Sequence, residues 1–581
     1  MNSPFVPKRP PKPSLMALLR PYRGWVGALV ALTVFANGLN LYVPKLIASA
    51  IDAYDAHHFA LSETAIELFV VAVGVFVLTY FQSVVQTLTS ERVARDLRTR
   101  LISKISLHDY AYIQEVTPAK LLTNLTSDID AIKSFVSQAI ASIISSLFLI
   151  VGASVLLLLT DWQLALIVLL VIPIIGVTFF LVLTRVRKLF RKSQEALDWL
   201  NKVINESIVG AALIRLLNSQ NFEFEKFVAA NTEARNLGYR IIRLFSGLIP
   251  VITFAASLAT LAILVLGGHF VISGQMSLGD FTAFNSYLAI LIFPIIIIGF
   301  MSNIMAQATA SYGRVSQVLD APVVKATGTI KAPIRGDIAV SDLTIKHGQK
   351  AALNGVSFVT RAGSRTAIIG PTAAGKTQLL YAMTGLIRPT AGSVTYDGQP
   401  IEAYDKEALY RQLGIVFQDS VLFNLSLREN IAFSDTVDDK SLELAIETAE
   451  LADFIKTLPE GLDTTVSERG TSLSGGQKQR IMLARALALN PRVLLLDDFT
   501  ARVDTKTERK ILANVRQNYP GLTLVSVTQK IAPVEDYDQI VLLMEGLVLG
   551  IGTHRELLAA SPEYVQIYRS QQSTEDYELQ A

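Results

Sequence analysis

The chain has 581 residues, a mean hydropathy of +0.41, 51% hydrophobic residues and only 18% charged ones, which is too apolar for a soluble protein of this length. A net charge of +2 excludes binding to nucleic acid by bulk charge and excludes an acidic solvating chain. With no cysteine and six scattered histidines, disulfides, thiol catalysis and Cys- or His-based metal sites drop out.

The apolar residues concentrate in residues 1–320. Six charge-poor runs lie near 25–44, 68–90, 134–160, 162–184, 244–272 and 281–306. Each supplies the roughly 20 residues a helix needs to cross about 30 Å of hydrocarbon. The first run is too long for a cleaved signal peptide and lacks a small-residue cleavage site. Lys8, Arg9, Lys12, Arg20 and Arg23 precede it. Arg92, Arg95, Arg98, Arg100 and Lys104 follow the second run, and Arg185, Arg187, Lys188, Arg191 and Lys192 follow the fourth. The opposite loops carry Asp52, Asp55, Glu63 and Asp161. Excess Lys and Arg mark cytoplasmic loops. The N-terminus, both basic loops and everything after the sixth run are therefore expected on the cytoplasmic side of a cell (inner or plasma) membrane. The basic loops keep helical apolar spacing, so they read as membrane helices continuing into the cytoplasm.

Polar side chains within the spans are neutral: Asn37, Asn40, Gln82, Gln86, Thr253, Asn285 and Tyr287. An intramembrane charge would mark an ion path or a charged cargo; its absence fits an apolar or amphipathic one. Taken singly, each of these residues reads better as packing helices together than as touching cargo. Pro173, Pro250 and Pro294 fall within spans four, five and six, where proline kinks helices.

A Pro/Thr/Lys-rich linker covers 321–335, and from 336 to 575 short Val/Ile/Leu runs alternate with helical stretches. In "IIGPTAAGKTQLL" a strand, Arg365–Ile369, leads through Gly370, Pro371, Thr372, Ala373, Ala374 and Gly375 into a helix opening with Lys376, Thr377 and Gln378. Such a loop wraps phosphates with backbone N–H groups; its Lys neutralises their charge and its Thr ligates Mg²⁺. "LSGGQ", Leu473, Ser474, Gly475, Gly476 and Gln477, opens another helix and forms a second anion-binding nest. That helix leads into "VLLLDD", a buried strand from Val493 that delivers Asp497 and Asp498.

On these motifs the chain resembles the ATP-binding cassette (ABC) exporters over essentially its whole length. The resemblance implies a six-span α-helical membrane domain fused to an α/β P-loop nucleotide-binding domain, two such chains making one transporter, with ATP and Mg²⁺ as cofactors. It implies Mg²⁺ contacts from Thr377, Asp497 and Gln418 of "VFQD", and a D-loop ending at Asp504. It also implies an adenine-stacking position at His347 and a membrane-sensing loop at Glu468-Arg469. "IQEVTPAKLLTNLTSDIDAIKSF" and "ESIVGAALIRLLNSQNFEFEKF" resemble the two regions that couple membrane and nucleotide domains.

The departures fall on the P-loop side. Asp498 stands where the family has its catalytic Glu, which pulls the carboxylate back by about 1.5 Å. Gln529 stands where a His faces the γ-phosphate, Ala373 replaces a Gly, Gln378 a hydroxyl residue, and Arg502 a small D-loop residue. The Leu473–Gln477 signature is intact. In the family, ATP lies between the P-loop of one chain and the signature of the other. The expectation is therefore the degenerate-site half of a heterodimeric exporter of drugs or lipids, with a weakly hydrolytic site of its own and no nucleic-acid partner. A homodimeric exporter with Asp498 as a slow base, a non-pumping ATP-gated half and an importer on the same fold remain as alternatives.

Overall fold

The computed structural model describes residues 15–323, 328–347, 350–467 and 473–580. Two compact units emerge. One runs up to Leu107 and again from Val116 to Pro322; the other joins His108–Glu115 to the chain from Val323 onward.

Six long helical segments build the first unit: Leu15–Asp55, Leu61–Leu107, Pro118–Thr160, Trp162–Val209, Gln220–Ile272 and Leu278–Asp320. Each is far longer than a bilayer needs, because charged, amphipathic sequence continues the helix past the apolar run. In the second segment no residue of the apolar window is buried. Its buried residues, Thr89, Ser90, Val93, Ala94, Leu97 and Leu101, lie at the very end of the apolar run and in the basic extension beyond it. The last four segments share a core that includes Leu157, Leu164, Val168, Ile175, Ile252, Phe284 and Leu288.

Several of the neutral polar residues are accounted for by packing. Asn37 accepts from Ser145 Oγ (3.1 Å), Tyr287 Oη donates to the Leu41 carbonyl (3.1 Å), and Gln86 donates to the Ser137 carbonyl. Each bond joins two different segments. Thr253 and Asn285 instead bond carbonyls of their own helices. At one end, Asp52 accepts from Ser277 Oγ (2.8 Å) and from the Gly279 N–H (2.7 Å), which holds the start of the sixth segment. At depth in the basic extensions, buried Asp128 is gripped by the Arg314 guanidinium.

The prolines act unequally. Pro250, Pro294 and also Pro44 sit inside continuous helices. Span four instead breaks at Leu170, between the helices Trp162–Leu169 and Val171–Val209. Pro173 lies in the first turn of the second piece, where a missing N–H costs least.

In the second unit, β1 (Ile338–His347), β2 (Lys350–Thr360), β4 (Ala391–Tyr396) and β5 (Gln399–Pro400) form an antiparallel sheet of order β2-β1-β4-β5. A second sheet takes β3 (Arg365–Ile369), β6 (Leu413–Val416), β7 (Val493–Asp497), β8 (Thr523–Thr528), β9 (Gln539–Met544) and β10 (Leu547–Gly552) in the order β10-β9-β3-β8-β7-β6. Its strands are parallel except for β10. Every residue of β7 and β8 is buried, as their unbroken apolar runs require of a sheet covered on both faces.

Candidate nucleotide site

Ligands of open parallel sheets bind beyond the carboxyl ends of the strands. Four adjacent strands converge here. β3 ends in the Gly370–Gly375 loop, β8 in Gln529, β7 in Asp497 and Asp498, and β6 in the segment carrying Gln418. Thr372 to Gln378, Gln418, Asp497, Asp498 and Gln529 line one open cleft of about 250 Å³, together with Ala352 and Val527, which sequence reading did not single out.

The loop enters its helix, Lys376–Met383, through Gly375 at φ 97°. A Cβ there would come within 2.5 Å of the Ala352 carbonyl oxygen, so only glycine fits. Ala373 has no such excuse: it holds φ 65°, a left-handed conformation that costs an L-residue roughly 1–2 kcal/mol. The Lys376 ammonium donates to the carbonyls of Gly370 (2.7 Å) and Pro371 (2.8 Å). Burial lowers its pKa, opposed by the charges of Asp498 and Asp497.

Thr377 Oγ1 donates to Asp497 Oδ1 at 3.3 Å. The other carboxylate oxygen, Oδ2, is buried without a hydrogen-bond partner. Burial raises the Asp497 pKa; the Thr377 bond opposes this and the neighbouring Asp498 adds to it. A buried carboxylate with one orphaned oxygen beside a hydroxyl is a donor set that suits a hard, oxygen-preferring divalent cation. The residues therefore fit Mg²⁺.

The strand ends at Asp497, and Asp498 does not extend it. It takes φ 46° and donates its N–H to the Val527 carbonyl (2.9 Å), so the chain turns out of the sheet there. Gln529 Oε1 sits at the limit of hydrogen-bond reach, 3.5 Å, from Thr372 Oγ1.

The signature residues stand apart, for none of Leu473–Gln477 lines the cleft, nor does Asp504. Ser474 caps the helix Gly475–Ala488 in a reciprocal box. Its Oγ accepts from the Gln477 N–H (3.2 Å), and Gln477 Oε1 accepts from the Ser474 N–H (2.8 Å). The first N–H groups of a helix have no intrahelical acceptor, so those of Gly475 and Gly476 suit an anion. Both glycines pack against Arg502, whose Cδ would lie 2.9 Å from a Cβ at Gly475. Asp504 accepts from the Thr507 N–H (2.9 Å) and caps the helix Thr505–Asn518. The side chain of His347 and residues Glu468 and Arg469 lie outside the described residues.

Two features went unread in the sequence. Arg485, on the signature helix, donates to the Asn430 carbonyl (2.6 Å), to Asn430 Oδ1 (3.0 Å) and to the Val421 carbonyl (2.9 Å). The stacked rings of Phe423 and Phe433 lie against its guanidinium. Burial pushes its pKa down to about 10, so it remains charged at neutral pH. It ties the signature helix to the chain after Gln418; the one signal was an arginine in the apolar run "IMLARALAL". The second feature is Tyr110, in the helix Tyr110–Val116, which packs edge-on to Tyr381 of the P-loop helix, and Tyr381 in turn meets Phe417.

Membrane helices joined to a P-loop sheet with a separate signature helix define a membrane-bound ATPase. A family model for the ABC transporter transmembrane region matches residues 26–295, and one for the ABC transporter matches 353–501. The ABC transporter ATP-binding protein YfiB of Bacillus subtilis (strain 168) is 31% identical, over 96% of this chain and 98% of that protein. The chain belongs to the ABC exporters, as a half-transporter with fused transmembrane and ATP-binding domains, and is a multi-pass membrane protein. Its ATPase domain implies hydrolysis of ATP coupled to transport. Similar, too, are the probable multidrug resistance ABC transporter ATP-binding/permease protein YheI of Bacillus subtilis (strain 168), 29% identical over 94% of each chain, and the ATP-dependent lipid A-core flippase of Syntrophus aciditrophicus (strain SB), 27% identical over 96% of this chain and 94% of that one. The fold matches that of a bacterial Atm1-family ABC exporter with ATP bound at a TM-score of 0.77, with 23% identity over 96% of this chain and 99% of that one.

Proposed function

We propose that this chain is the degenerate-site half of a heterodimeric exporter that moves hydrophobic or amphipathic compounds, drugs or lipids, out of the cell. The observation that carries this reading is the split within the nucleotide domain. An altered P-loop cleft and a well-formed signature cap belong to the same chain yet do not meet in it. A nucleotide held by both must lie between two chains, and the intact signature serves a partner's P-loop. Among the described residues none in the apolar window of the second span is fully buried, which leaves surface there for lipid or a second chain to cover. Relatives named as a multidrug transporter and as a lipid flippase suit the cargo class.

In this reading the nucleotide domain faces the cytoplasm. Gly370–Thr377 grips the phosphates of ATP, and Thr377, Asp497 and Gln418 hold the Mg²⁺ that screens their charge. A general base must lie within hydrogen-bond reach of the water it polarises. Asp498, short and turned out of the strand, holds that water poorly, so ATP persists here and tethers the two nucleotide domains. Gln529 contacts the γ-phosphate without adding positive charge. Closure of the paired domains favours an outward-open cavity because ATP binds the closed state better, and turnover at the partner's site, completed by Ser474–Gln477, resets the cycle.

The test is ATPase activity of the purified chain alone against the chain co-purified with a second half-transporter. A nearly silent chain and an active pair, silenced by Ser474→Arg, uphold the reading. Brisk turnover by the chain alone overturns it in favour of a homodimer.

A further inference from the structure

The C-terminal helix Pro562–Gln580 carries one side chain that reaches the nucleotide site's own framework. Gln571 Nε2 donates to the carbonyl of Gln529 (2.7 Å), and Gln571 Oε1 accepts from the N–H of Ile531 (2.9 Å). The chain bends after β8, at Gln529 and again at Ile531, and one primary amide, which both donates and accepts, satisfies the carbonyl of the first and the N–H of the second. The segment it grips continues directly from β8, and Gln529 is its first residue.

The helix is fixed against the domain on that same face. Tyr564 is fully buried, its hydroxyl bonds His554 Nδ1 (2.8 Å), and Ile567 and Tyr568 pack on the core that holds β7 and Ile531. Positions 564, 567, 568 and 571 fall on one helical stripe. Gln571 is thus delivered by a packed element, and its amide is spent on the backbone rather than on solvent.

We propose that Gln571 is a positioning residue for the γ-phosphate contact, and that the C-terminal helix is a brace for the loop that carries Gln529. A residue that must recognise one phosphate has to be held in place before the nucleotide arrives. The buried Ile531 side chain anchors the far end of this loop and the Lys530 N–H bonds Thr528 Oγ1 (3.1 Å), but the Gln529 carbonyl and the Ile531 N–H are held by Gln571. The inference rests on the reading of Gln529 as the γ-phosphate contact, so the two are tested separately.

In the full chain in lipid nanodiscs, hydrogen exchange over Gln529–Ile531 reads the brace, and equilibrium binding of MgATP against MgADP reads its consequence. With Gln571→Leu, exchange accelerates at least about tenfold and the preference for ATP over ADP falls about five- to tenfold, ADP affinity being unchanged. Gln529→Ala lowers the preference as much, and the double variant no further, because both act through one contact. Gln571→Glu keeps the acceptor for Ile531 but sets a carboxylate against the Gln529 carbonyl; it retains the helix and still loses the preference. Unchanged exchange in Gln571→Leu removes the brace. Faster exchange with an intact preference, while Gln529→Ala abolishes it, removes the positioning role. If Gln529→Ala also leaves the preference intact, the γ-phosphate reading itself is wrong, and the positioning role falls with it.

Discussion

Thr377 Oγ1 and Asp497 Oδ1 lie 3.3 Å apart, leaving the second Asp497 oxygen buried and unbonded. A carboxylate kept in that condition is a cost to the fold, and its raised pKa records the cost. Asp497→Asn should therefore raise the melting temperature of the metal-free protein slightly while cutting MgATP affinity at least about tenfold. Chelating Mg²⁺ should weaken ATP binding in the wild type and make little further difference in the variant. An equal effect of chelation on both would show that Asp497 is not part of a metal site.

Asp498 offers a sharper contrast. If its carboxylate falls short of the attacking water, Asp498→Glu should raise the ATPase rate of the chain alone by at least about tenfold. In the pair, if the partner's base does the work as proposed, Asp498→Asn should change the steady-state rate by less than about twofold. Measured on one preparation, a collapse of the pair's activity in Asp498→Asn would mean that this carboxylate is the working base.

The spans and the nucleotide motifs were legible in the sequence because each rests on local chemistry. About 20 uncharged residues in a row have few other uses, and a Gly-rich loop between a strand and a helix N-terminus has the backbone N–H groups that suit a phosphate. Contacts between distant residues were not. Gln571 and Gln529 are 42 positions apart and neither residue type announces the pairing. Arg485 reads as a charge in an apolar run until Asn430 and Val421 close around it. Backbone conformation was also hidden: nothing in "LLLDDF" tells that Asp498 turns left-handed. Pro173 was read as a kink, and the break it produces at Leu170 depends on which residues begin the new helix.

Ala373 carries strain that glycine would not. Ala373→Gly should stabilise the chain by about 1 kcal/mol, less the entropy glycine loses on ordering. Thermal unfolding followed in the same detergent should show a small rise in melting temperature, with ATP affinity kept or improved. A fall in both would mean that the alanine methyl packs usefully and that the left-handed turn is set by other parts of the loop.

Tyr110 and Tyr381 make the fourth case. Their rings meet edge-on with centroids 5.4 Å apart, and Tyr381 stands between Tyr110 and Phe417, the residue before Gln418. Burial first, then the bond to Tyr110, raises the Tyr381 pKa, so the phenol stays neutral and acts by shape. Edge-on aromatic pairs contribute about 0.5–1.5 kcal/mol beyond their buried area. Because Tyr110 opens the helix that runs into the stretch, from Ile113 onward, that resembles a coupling region, its loss should separate hydrolysis from movement of cargo. Tyr110→Ala in the pair should leave ATPase within about twofold while transport of a fluorescent amphipathic dye into inverted vesicles falls at least about fivefold per ATP; Tyr110→Phe, which keeps the ring, should retain most of it. Equal losses of hydrolysis and transport in Tyr110→Ala would assign the pair to the stability of the nucleotide domain instead.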